Sequence, residues 1–398
     1  MRKRFTTTAV PISVSDIIAG IKAILRHQYC IEKFELGFAK YINARRAFLV
    51  NSGTTAFYII LKALMRLSDK TEVVIPAYTA PAVTLAIWKA GLKPVLCDVS
   101  LDTFNMDIIS LTNIASDDIL CVASTHLFGL PCDVLSVNEF VKEKNIFVIE
   151  DAAQAMGAKL NDKMAGTIGD VGFFSLAKGK NLSTYTGGII VTNRSDLAPL
   201  LKEEIQKLEE PSGIYKALNP FLLSALALMV RPMVYGMFHR LASFFKSTEV
   251  YYSFDAMKYT EFQAAVGLSL LKRLPGFIQA RQANGSLLYK SLAEIHGIRL
   301  PVVIEKGVPA YNHFPVLLEE SGHIAQVQQE LWRLGIDTSR MYLRPVHHCY
   351  QLGYAKSPEP FPNAAYIAER LLTLPTHPFI DSSIIQNIIR KVIHATSG

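Results

Sequence analysis

Short apolar segments alternate with helix-like segments through the first half of the chain, and no other feature constrains the fold as strongly. The apolar segments are EVVIPA (72–77), KPVLCDV (93–99), ILCVAST (119–125) and IFVIED (146–151). Helix-like stretches, such as Thr79 to Ala90, lie between them. Apolar strands joined by helices predict an α/β fold, with a mainly parallel sheet that is flanked by helices.

The second half of the chain has a different pattern, which predicts a second domain. A helical run covers 260–277, and short strands and one helix follow from about Gly297. We expect a large domain at 1–250 with an apolar insert at about 215–247. A linking helix and a smaller C-terminal α+β domain are expected at 251–398.

Lys180 belongs to a set of residues with specific chemistry. It lies in FSLAKGKNLSTYTGG (174–188), downstream of FVIEDAAQA (147–155). Asp151 ends its strand, and ligands of parallel sheets bind beyond the carboxyl ends of the strands. A pyridoxal phosphate (PLP) enzyme needs a lysine amine for a Schiff base with the cofactor aldehyde, and an acid that keeps the pyridine nitrogen protonated. The pattern therefore predicts PLP chemistry.

Neighbouring residues extend this hypothesis. Ser175 is expected to bind the cofactor phosphate, and Gln154 to reach the phenolic oxygen or to cover the ring face. Lys178 competes with Lys180, but the spacing from Ser175 and from the paired glycines 187–188 favours Lys180. Those glycines let the backbone approach closely. The alternative is that both lysines are solvated loop residues and Gln154 is a surface residue.

A second motif, NSGTTAFYIILKAL (51–64), places Gly53, Thr54 and Thr55 just before a helical run. Exposed backbone N–H groups and the helix dipole make such a position an anion site, to which threonine hydroxyls add donors. An ordinary helix N-cap fits the same residues. The predicted PLP residues downstream favour the anion site.

The histidines give weaker signals. His126 follows a predicted strand, where it could line a substrate pocket or make a structural hydrogen bond, and the sequence leaves both open. His347, His348 and Cys349 are consecutive. Adjacent positions rarely converge on one ion, so we expect no metal site.

Charge and cysteine content exclude several classes of protein. The net charge of +7 is modest and the basic residues are dispersed, which argues against nucleic-acid binding. The five cysteines contain no CxxC pair, which argues against zinc and redox sites and indicates a reducing compartment. The basic N-terminus lacks the apolar stretch of a signal peptide. We expect a cytoplasmic protein.

These motifs resemble the DegT (DnrJ/StrS-type) family of PLP-dependent sugar aminotransferases, which has the aspartate aminotransferase (type I) fold. The order and spacing of many segments carry the resemblance over nearly the whole chain. Beside the two cofactor motifs, the segments are 34–56, 73–107, 125–133, 334–348 and 371–380.

The resemblance implies an activity and a set of site residues. A homodimer with the active site at the subunit interface would transfer an amino group, from glutamate, to a keto-sugar on a nucleotide, for polysaccharide or glycoconjugate biosynthesis. The implied Schiff-base lysine is Lys180, with Asp151 at the pyridine nitrogen and Gln154 near the ring. The implied phosphate contacts are Gly53, Thr54, Thr55 and Ser175.

The sequence departs from the family pattern at two places. Where the family has an aromatic residue stacked on the cofactor, this chain has Ala80, and Tyr78 is the nearby candidate for that role or for a substrate contact. The family's Asn-x-Arg, whose Asn reaches the partner subunit's phosphate, is replaced by Ala256 and Lys258. These changes weaken the expected cross-subunit contact and the nucleotide-sugar assignment.

The insert itself, residues 219–245, is very apolar. Its longest uninterrupted apolar run is too short to span a bilayer. Three interpretations stay open: a buried helix or dimer contact, a helix at the membrane interface with Arg231, Arg240 and Lys246 on its polar side, and a lid for a lipid-like substrate. Under the second, the protein would be peripheral at the inner membrane face.

Other functions remain as alternatives. An aminotransferase could act on a lipid-linked or other hydrophobic carbonyl substrate. PLP-dependent sugar dehydration is a rival, but the family members that carry it out replace the lysine with histidine, whereas Lys180 is present here. A non-catalytic regulator that retains the fold is the remaining alternative.

Overall fold

The structure, a computed structural model, describes residues 3–243, 252–355 and 357–396, without the side chains of residues 240–243. The strands are β1 (Arg46–Val50), β2 (Glu72–Pro76), β3 (Lys93–Cys97), β4 (Ile119–Thr125), β5 (Phe147–Asp151), β6 (Lys159–Leu160), β7 (Lys163–Met164), β8 (Val171–Ser175), β9 (Gly188–Thr192), β10 (Ile298–Arg299), β11 (Gly307–Val308), β12 (Phe314–Leu318) and β13 (Leu371–Leu374).

The helices are α1 (Val14–Leu25), α2 (Cys30–Ile42), α3 (Gly53–Leu64), α4 (Ala82–Ala90), α5 (Ile108–Thr112), α6 (Val134–Val141), α7 (Leu197–Gln206), α8 (Gly213–Met229), α9 (Pro232–Ser243), α10 (Glu261–Leu271), α11 (Leu274–Leu292), α12 (Gly322–Leu334), α13 (Val346–Cys349), α14 (Pro362–Arg370) and α15 (Ser382–Thr396).

The large sheet has the strand order β1-β9-β8-β5-β4-β2-β3. Strands β3, β2, β4, β5 and β8 are mutually parallel, and β9 is antiparallel to both of its neighbours. Every residue of β4, from Ile119 to Thr125, is buried, as expected for a strand covered on both faces. The predicted α/β fold with a mainly parallel sheet is confirmed, and the four predicted strands are β2, β3, β4 and β5.

A second, antiparallel sheet of β10, β12 and β13 lies in the C-terminal part of the chain. Helices α12 and α15 pack on each other in the same part. The N-terminal segment reaches this region, because Phe5 pairs with Ile336 in a β-bridge. The predicted boundary at residue 250 therefore separates Phe5 from residues that it contacts, and the boundary stays a prediction.

The predicted helical run at 260–277 is two helices, α10 and the start of α11, which are separated at Lys272 and Arg273. Close contacts at small residues fix α10 on its neighbours. A Cβ at Gly267 of α10 would lie 2.2 Å from the ring of Phe34 in α2. A Cβ at Gly20 of α1 would lie 2.5 Å from the ring of Phe262 in α10.

The apolar insert forms α8 and α9, which are bent by 95° relative to each other. Helix α8 packs on the protein through Asn219, Leu223 and Ala227. Among the described residues no single helix is long and apolar enough to cross a bilayer, although this bent pair passes the same test together on length and composition. Phe244 to Lys246, the end of the predicted insert, lie outside the described residues, as does the side chain of Arg240.

Gly172→Ala should destabilise the protein, because a Cβ at Gly172 in β8 would lie 2.2 Å from the backbone oxygen of Gly166. Overpacking of this kind costs about 1–3 kcal/mol. Gly276→Ala in α11 is the control, since nothing lies within 4 Å of its Cβ position. Urea unfolding should show a lower midpoint for Gly172→Ala alone. Equal midpoints would contradict the packing of β8 against residue 166.

Candidate active site

Asp151 is the last residue of β5 and lies at the carboxyl edge of the large sheet. The side chain is buried, and its Oδ1 accepts a hydrogen bond of 3.0 Å from the backbone N–H of Ala153. Burial raises the pKa of this carboxyl, and the hydrogen bond from Ala153 and the positive charge of Lys180 oppose the rise. A buried carboxylate is costly unless a cation accompanies it. Asp151 is therefore placed to hold a positively charged group.

Lys180 lies in the loop between β8 and β9, which we call the Lys180 loop (residues 176–187). Burial lowers the pKa of its amine from 10.5 to about 8, and the charge of Asp151 opposes the shift. Lys178 is exposed instead, and its Nζ lies 4.9 Å from the centre of the Tyr185 ring. The structure thus brings Lys180 to Asp151 and leaves Lys178 at the surface.

Side chains from other parts of the chain fix the Lys180 loop. Gln263 of α10 donates through Nε2 to the carbonyl oxygens of Thr184 and Thr186, each at 3.1 Å. Asn181 donates through Nδ2 to the carbonyl of Met156 at 2.8 Å. These bonds connect the loop to α10 and to the segment after β5, so the amine has a defined position relative to the sheet edge.

The N-terminus of α3 meets β8 and β9 beside this loop. Ser52 caps α3, because its hydroxyl accepts from the backbone N–H of Thr55 at 3.0 Å. A Cβ at Gly53 would lie 3.1 Å from the Cβ of Ser175, the last residue of β8. A Cβ at Gly188 would lie 2.2 Å from the carbonyl oxygen of Ser52. Small residues therefore permit the close approach of three backbone segments.

The N-terminus of α3 is both a helix cap and a candidate anion site, the two alternatives that the sequence left open. Thr55 is buried and its hydroxyl is 2.9 Å from the Ser52 hydroxyl, so these two residues form the helix cap. The positive end of the α3 dipole lies at the same place, with Gly53, Thr54 and Ser175 around it. A helix N-terminus bordered by hydroxyl groups is suited to a phosphate.

Gln154 and Tyr78 meet at Tyr342, a residue for which the sequence predicts no role. Gln154 donates through Nε2 to the Tyr342 hydroxyl at 3.0 Å, and its Oε1 accepts from the N–H of Phe128 at 3.0 Å. Tyr78 is buried, and its hydroxyl donates to the Tyr342 carbonyl at 3.2 Å. The two tyrosine rings pack edge to face, with centres 5.7 Å apart. Tyr78 is thus held by Tyr342, and Tyr342 is the partly exposed member of the pair.

Both ring nitrogens of His126 are hydrogen-bonded inside the protein. Nδ1 accepts from the backbone N–H of Cys132 at 2.9 Å, so Nε2 carries the proton and donates to Glu150 at 2.9 Å. His126 is completely buried. The ring has no free nitrogen for a substrate, and of the two roles left open by the sequence the geometry favours the structural one.

His313 is a second site residue that sequence reasoning missed. Its pKa is lowered well below 6.5, first by burial and then by the positive charges of Lys180 and Arg281. Its Nδ1 lies 2.8 Å from Nδ2 of Asn312, so Nδ1 accepts and Nε2 carries the proton. A neutral N–H donor therefore lies within electrostatic range of Lys180. The only sequence signal was its position in the strand-like segment AYNHFPVLL.

The two departures from the family pattern are visible in the structure. Ala80 lies just before α4 and offers no ring. Lys258 pairs with Glu210 at 3.0 Å, while Ala256 packs against the hydrophobic core. Asn51 fixes the segment between them, because its Oδ1 accepts from the N–H of Met257 at 3.1 Å. Neither Ala80 nor Ala256 can perform the polar or stacking role of the family residue.

The residues that meet at the sheet edge fit pyridoxal phosphate. Asp151 has a buried carboxyl group that suits a protonated pyridine nitrogen. The α3 N-terminus with Ser175 suits a phosphate group, and an amine with a pKa of about 8 suits an aldehyde. The donor set therefore fits the cofactor that the sequence predicts.

His347, His348 and Glu359 form a group whose ligand atoms lie within 4.8 Å of one another. The two imidazole Nε2 atoms lie 2.7 Å and 3.0 Å from the Glu359 carboxylate, so contacts within the group already account for the cluster. The Nδ1 of His347 is buried without a hydrogen-bond partner. Metal-bound histidines almost always donate through their second nitrogen, so the cluster lacks the support of a metal site.

Comparisons with known proteins agree with this chemistry. The family model of the DegT/DnrJ/EryC1/StrS aminotransferases matches residues 16–393. GDP-perosamine synthase of Caulobacter vibrioides is 29% identical over 366 residues, which cover 90% of this chain and 88% of that protein.

A second relative and a solved structure extend the comparison. GDP-4-keto-6-deoxy-D-mannose 3-dehydratase of Yersinia pseudotuberculosis is 26% identical over 77% of this chain and 75% of its own length. The crystal structure of S. venezuelae DesV with a ketimine intermediate has a TM-score of 0.79 and 26% identity, and the match covers 96% of this chain and 95% of that one. The relatives thus include both a synthase and a dehydratase, by their names.

The lowered pKa of Lys180 predicts a pH profile for the cofactor-free protein. The amine is neutral and nucleophilic above about pH 8 and protonated below it, so labelling of Lys180 by trinitrobenzenesulfonate should rise through about pH 8. Asp151→Asn removes a charge that raises this pKa, so the inflection should move to lower pH. Asp162→Asn, in an exposed turn, is the control. Peptide mass spectrometry measures the labelling, and an Asp151→Asn inflection equal to that of the unmodified chain would contradict the pairing.

Proposed function

The chain belongs to the DegT/DnrJ/EryC1/StrS aminotransferase family, and from this premise we propose that it transfers an amino group from glutamate to a nucleotide-linked keto-sugar for glycan biosynthesis. The observation that carries the proposal is the meeting of Lys180 and Asp151 beside the N-terminus of α3. GDP-perosamine synthase, an amino-sugar synthase by name, supports the substrate class.

Each residue has a stated task in this reaction. Bound pyridoxal phosphate supplies an electron sink that stabilises negative charge on the carbon next to the transferred nitrogen. Lys180, whose pKa is lowered to about 8, would take a proton from the donor's α-carbon and would later deliver a proton to the acceptor carbon that receives the nitrogen. Asp151 balances the positive charge of the pyridine nitrogen, and the Gln154–Tyr342 pair borders the same space.

Lys180 also distinguishes amino transfer from dehydration. Amino transfer needs a base that gives its proton back, and an amine with a pKa of about 8 can accept and release a proton near neutral pH. A dehydratase in this family would have histidine at this position. The presence of Lys180 therefore favours the aminotransferase over the dehydratase activity that one relative's name describes.

The non-catalytic alternative is weaker for a physical reason. A regulator has no need to keep a partly buried amine beside a buried carboxyl, an arrangement that is destabilising without a function. Ala80 and Ala256 alter the surroundings of the site and leave this pair intact. The chemistry at the sheet edge therefore supports an enzyme.

We also propose that the enzyme is a homodimer in the cytoplasm, at the inner face of a membrane. All five cysteines are free, and four of them are buried, which suits a reducing compartment. The family relationship supports the dimer. The apolar insert supports membrane contact, and it keeps a lipid-linked acceptor as the second candidate substrate.

Replacing Lys180 should remove the activity. In Lys180→Ala, amino transfer from glutamate should fall by about 10³-fold or more, because the group that moves the proton is gone. Lys178→Ala is the matched control and should retain activity, since that side chain is exposed over Tyr185. Stopped-flow measurement of the cofactor absorbance after glutamate addition gives the rates. Loss of activity in Lys178→Ala, with Lys180→Ala active, would reverse the assignment.

A screen of acceptors tests the substrate class. Enzyme, glutamate and one carbonyl compound are incubated, and 2-oxoglutarate is measured. Nucleotide-linked keto-sugars should release it at multiple turnovers, and lipid-linked keto-sugars should not. Turnover with lipid-linked acceptors alone would move the proposal to the second candidate. Cofactor that glutamate does not bleach, with no turnover of any acceptor, would support the regulator.

A further inference from the structure

Helix α1 exposes its large apolar residues and buries its small ones. The buried positions are Asp16, Gly20 and Ala23, which face α10. The exposed positions Val14, Ile18, Ile21 and Leu25 follow a helical spacing of four, three and four residues, and Val14 and Leu25 are about three-quarters exposed. A surface helix of a globular protein normally has the opposite arrangement.

Helix α8 has the same inverted arrangement and packs beside α1. Its buried positions are Asn219, Leu223 and Ala227. Its exposed positions include Ile214, Leu218, Phe221 and Leu228, of which Phe221 is 74% exposed. Met233 and Met237 continue the apolar exposure on α9. Large contiguous apolar surfaces of this kind mark sites where something else binds.

The charges on these helices are of one sign. No Asp or Glu occurs from Pro211 to Thr248, a segment that contains two lysines and two arginines. None occurs between Asp16 and Glu32 either, where Lys22 and Arg26 are exposed. The acidic residue inside α1, Asp16, is buried and paired with Arg273.

We infer that the exposed side of α1, α8 and α9, the apolar face, docks on a lipid bilayer that contains anionic headgroups. Apolar side chains bordered by exposed cations such as Lys22, Arg26 and Arg231 are typical of helices that lie in the headgroup region. Another exposed cation, Lys216 of α8, is paired with Glu210 at 3.6 Å. Anionic lipid attracts such a surface. A second copy of the same face would instead bring its cations against cations, which disfavours self-association.

Hydrogen bonds to the rest of the protein hold the apolar face in place. Asn219 of α8 donates to Gln263 at 3.3 Å, and Gln263 in turn bonds to the Lys180 loop. The Tyr215 hydroxyl lies 2.8 Å from the hydroxyl of Thr186 in the same loop. Helix α8 is thus attached to the catalytic loop on its inner side, so it lies on the bilayer without leaving the protein. Docking would keep the active site close to the lipid surface.

Vesicle flotation of the holoenzyme tests the inference and is independent of the proposed reaction. The full chain should float with phosphatidylcholine vesicles that contain phosphatidylglycerol, and much less with phosphatidylcholine alone. Raising NaCl from about 0.1 M to about 1 M, which shortens the screening length from about 10 Å to about 3 Å, should weaken binding.

Two sets of variants locate the surface. Leu218→Asp with Phe221→Asp should reduce the bound fraction about tenfold or more, because charge is placed in the apolar contact. Ile109→Asp, on the exposed side of α5, is the matched control and should float normally. Lys22→Glu with Arg26→Glu should weaken binding to the anionic vesicles, while Lys142→Glu with Lys290→Glu, two exposed lysines elsewhere, should not.

Light scattering of each variant separates the bilayer from a second copy. Leu218→Asp with Phe221→Asp should keep the subunit number of the unmodified protein. Conversion to monomers would assign the face to a subunit interface and overturn the inference. Failure of the unmodified protein to float with the anionic vesicles would overturn it as well.

Discussion

The site depends on one electrostatic relationship, that of the Lys180 amine with the Asp151 carboxylate. Each group alone is unfavourable in a buried place, as the lowered pKa of the amine and the raised pKa of the carboxyl indicate. Each favours the charged form of the other. A cofactor with a cationic ring nitrogen and an electrophilic carbon suits both groups at once, which explains why they are kept together.

The residues next to Asp151 show how the backbone supports this pair. Glu150, one residue earlier, accepts hydrogen bonds from the N–H groups of Gly166 at 2.8 Å and Gly169 at 2.7 Å, and from His126. The loop that follows β7 is thus fixed beneath the sheet edge. Along β5 the two successive carboxylates point to opposite sides of the strand, so Glu150 has a structural role and Asp151 remains available for a ligand.

Local patterns predicted the residues that lie close together in sequence or end a strand. Asp151, Ser175 and Lys180 belong to short motifs whose chemistry can be predicted without knowledge of the fold. Tyr342 and His313 were missed because their partners, Gln154 and Lys180, are far away in sequence, and a tyrosine or histidine in a strand-like segment has no distinctive spacing. His126 had a visible position, but its role depends on Cys132 and Glu150, whose contacts only the fold determines.

The role of the apolar insert also could not be predicted from its sequence alone. Its composition suggested three interpretations, and only the packing reveals that α1 shares its inverted exposure and that α8 is bonded to the Lys180 loop. The sequence of α1 looks like that of an ordinary amphipathic helix, since periodicity does not tell which face is turned inward. Which side is buried is a property of the tertiary structure.

The central claim is that the amine of Lys180, held beside Asp151, is the group that bonds to the cofactor. The most direct measurement is borohydride reduction of the holoenzyme, followed by proteolysis and mass spectrometry of the lysine-containing peptides. We expect the mass of the reduced cofactor on Lys180 in nearly every molecule. Reduced cofactor on Lys178, or on no lysine at all, would contradict it.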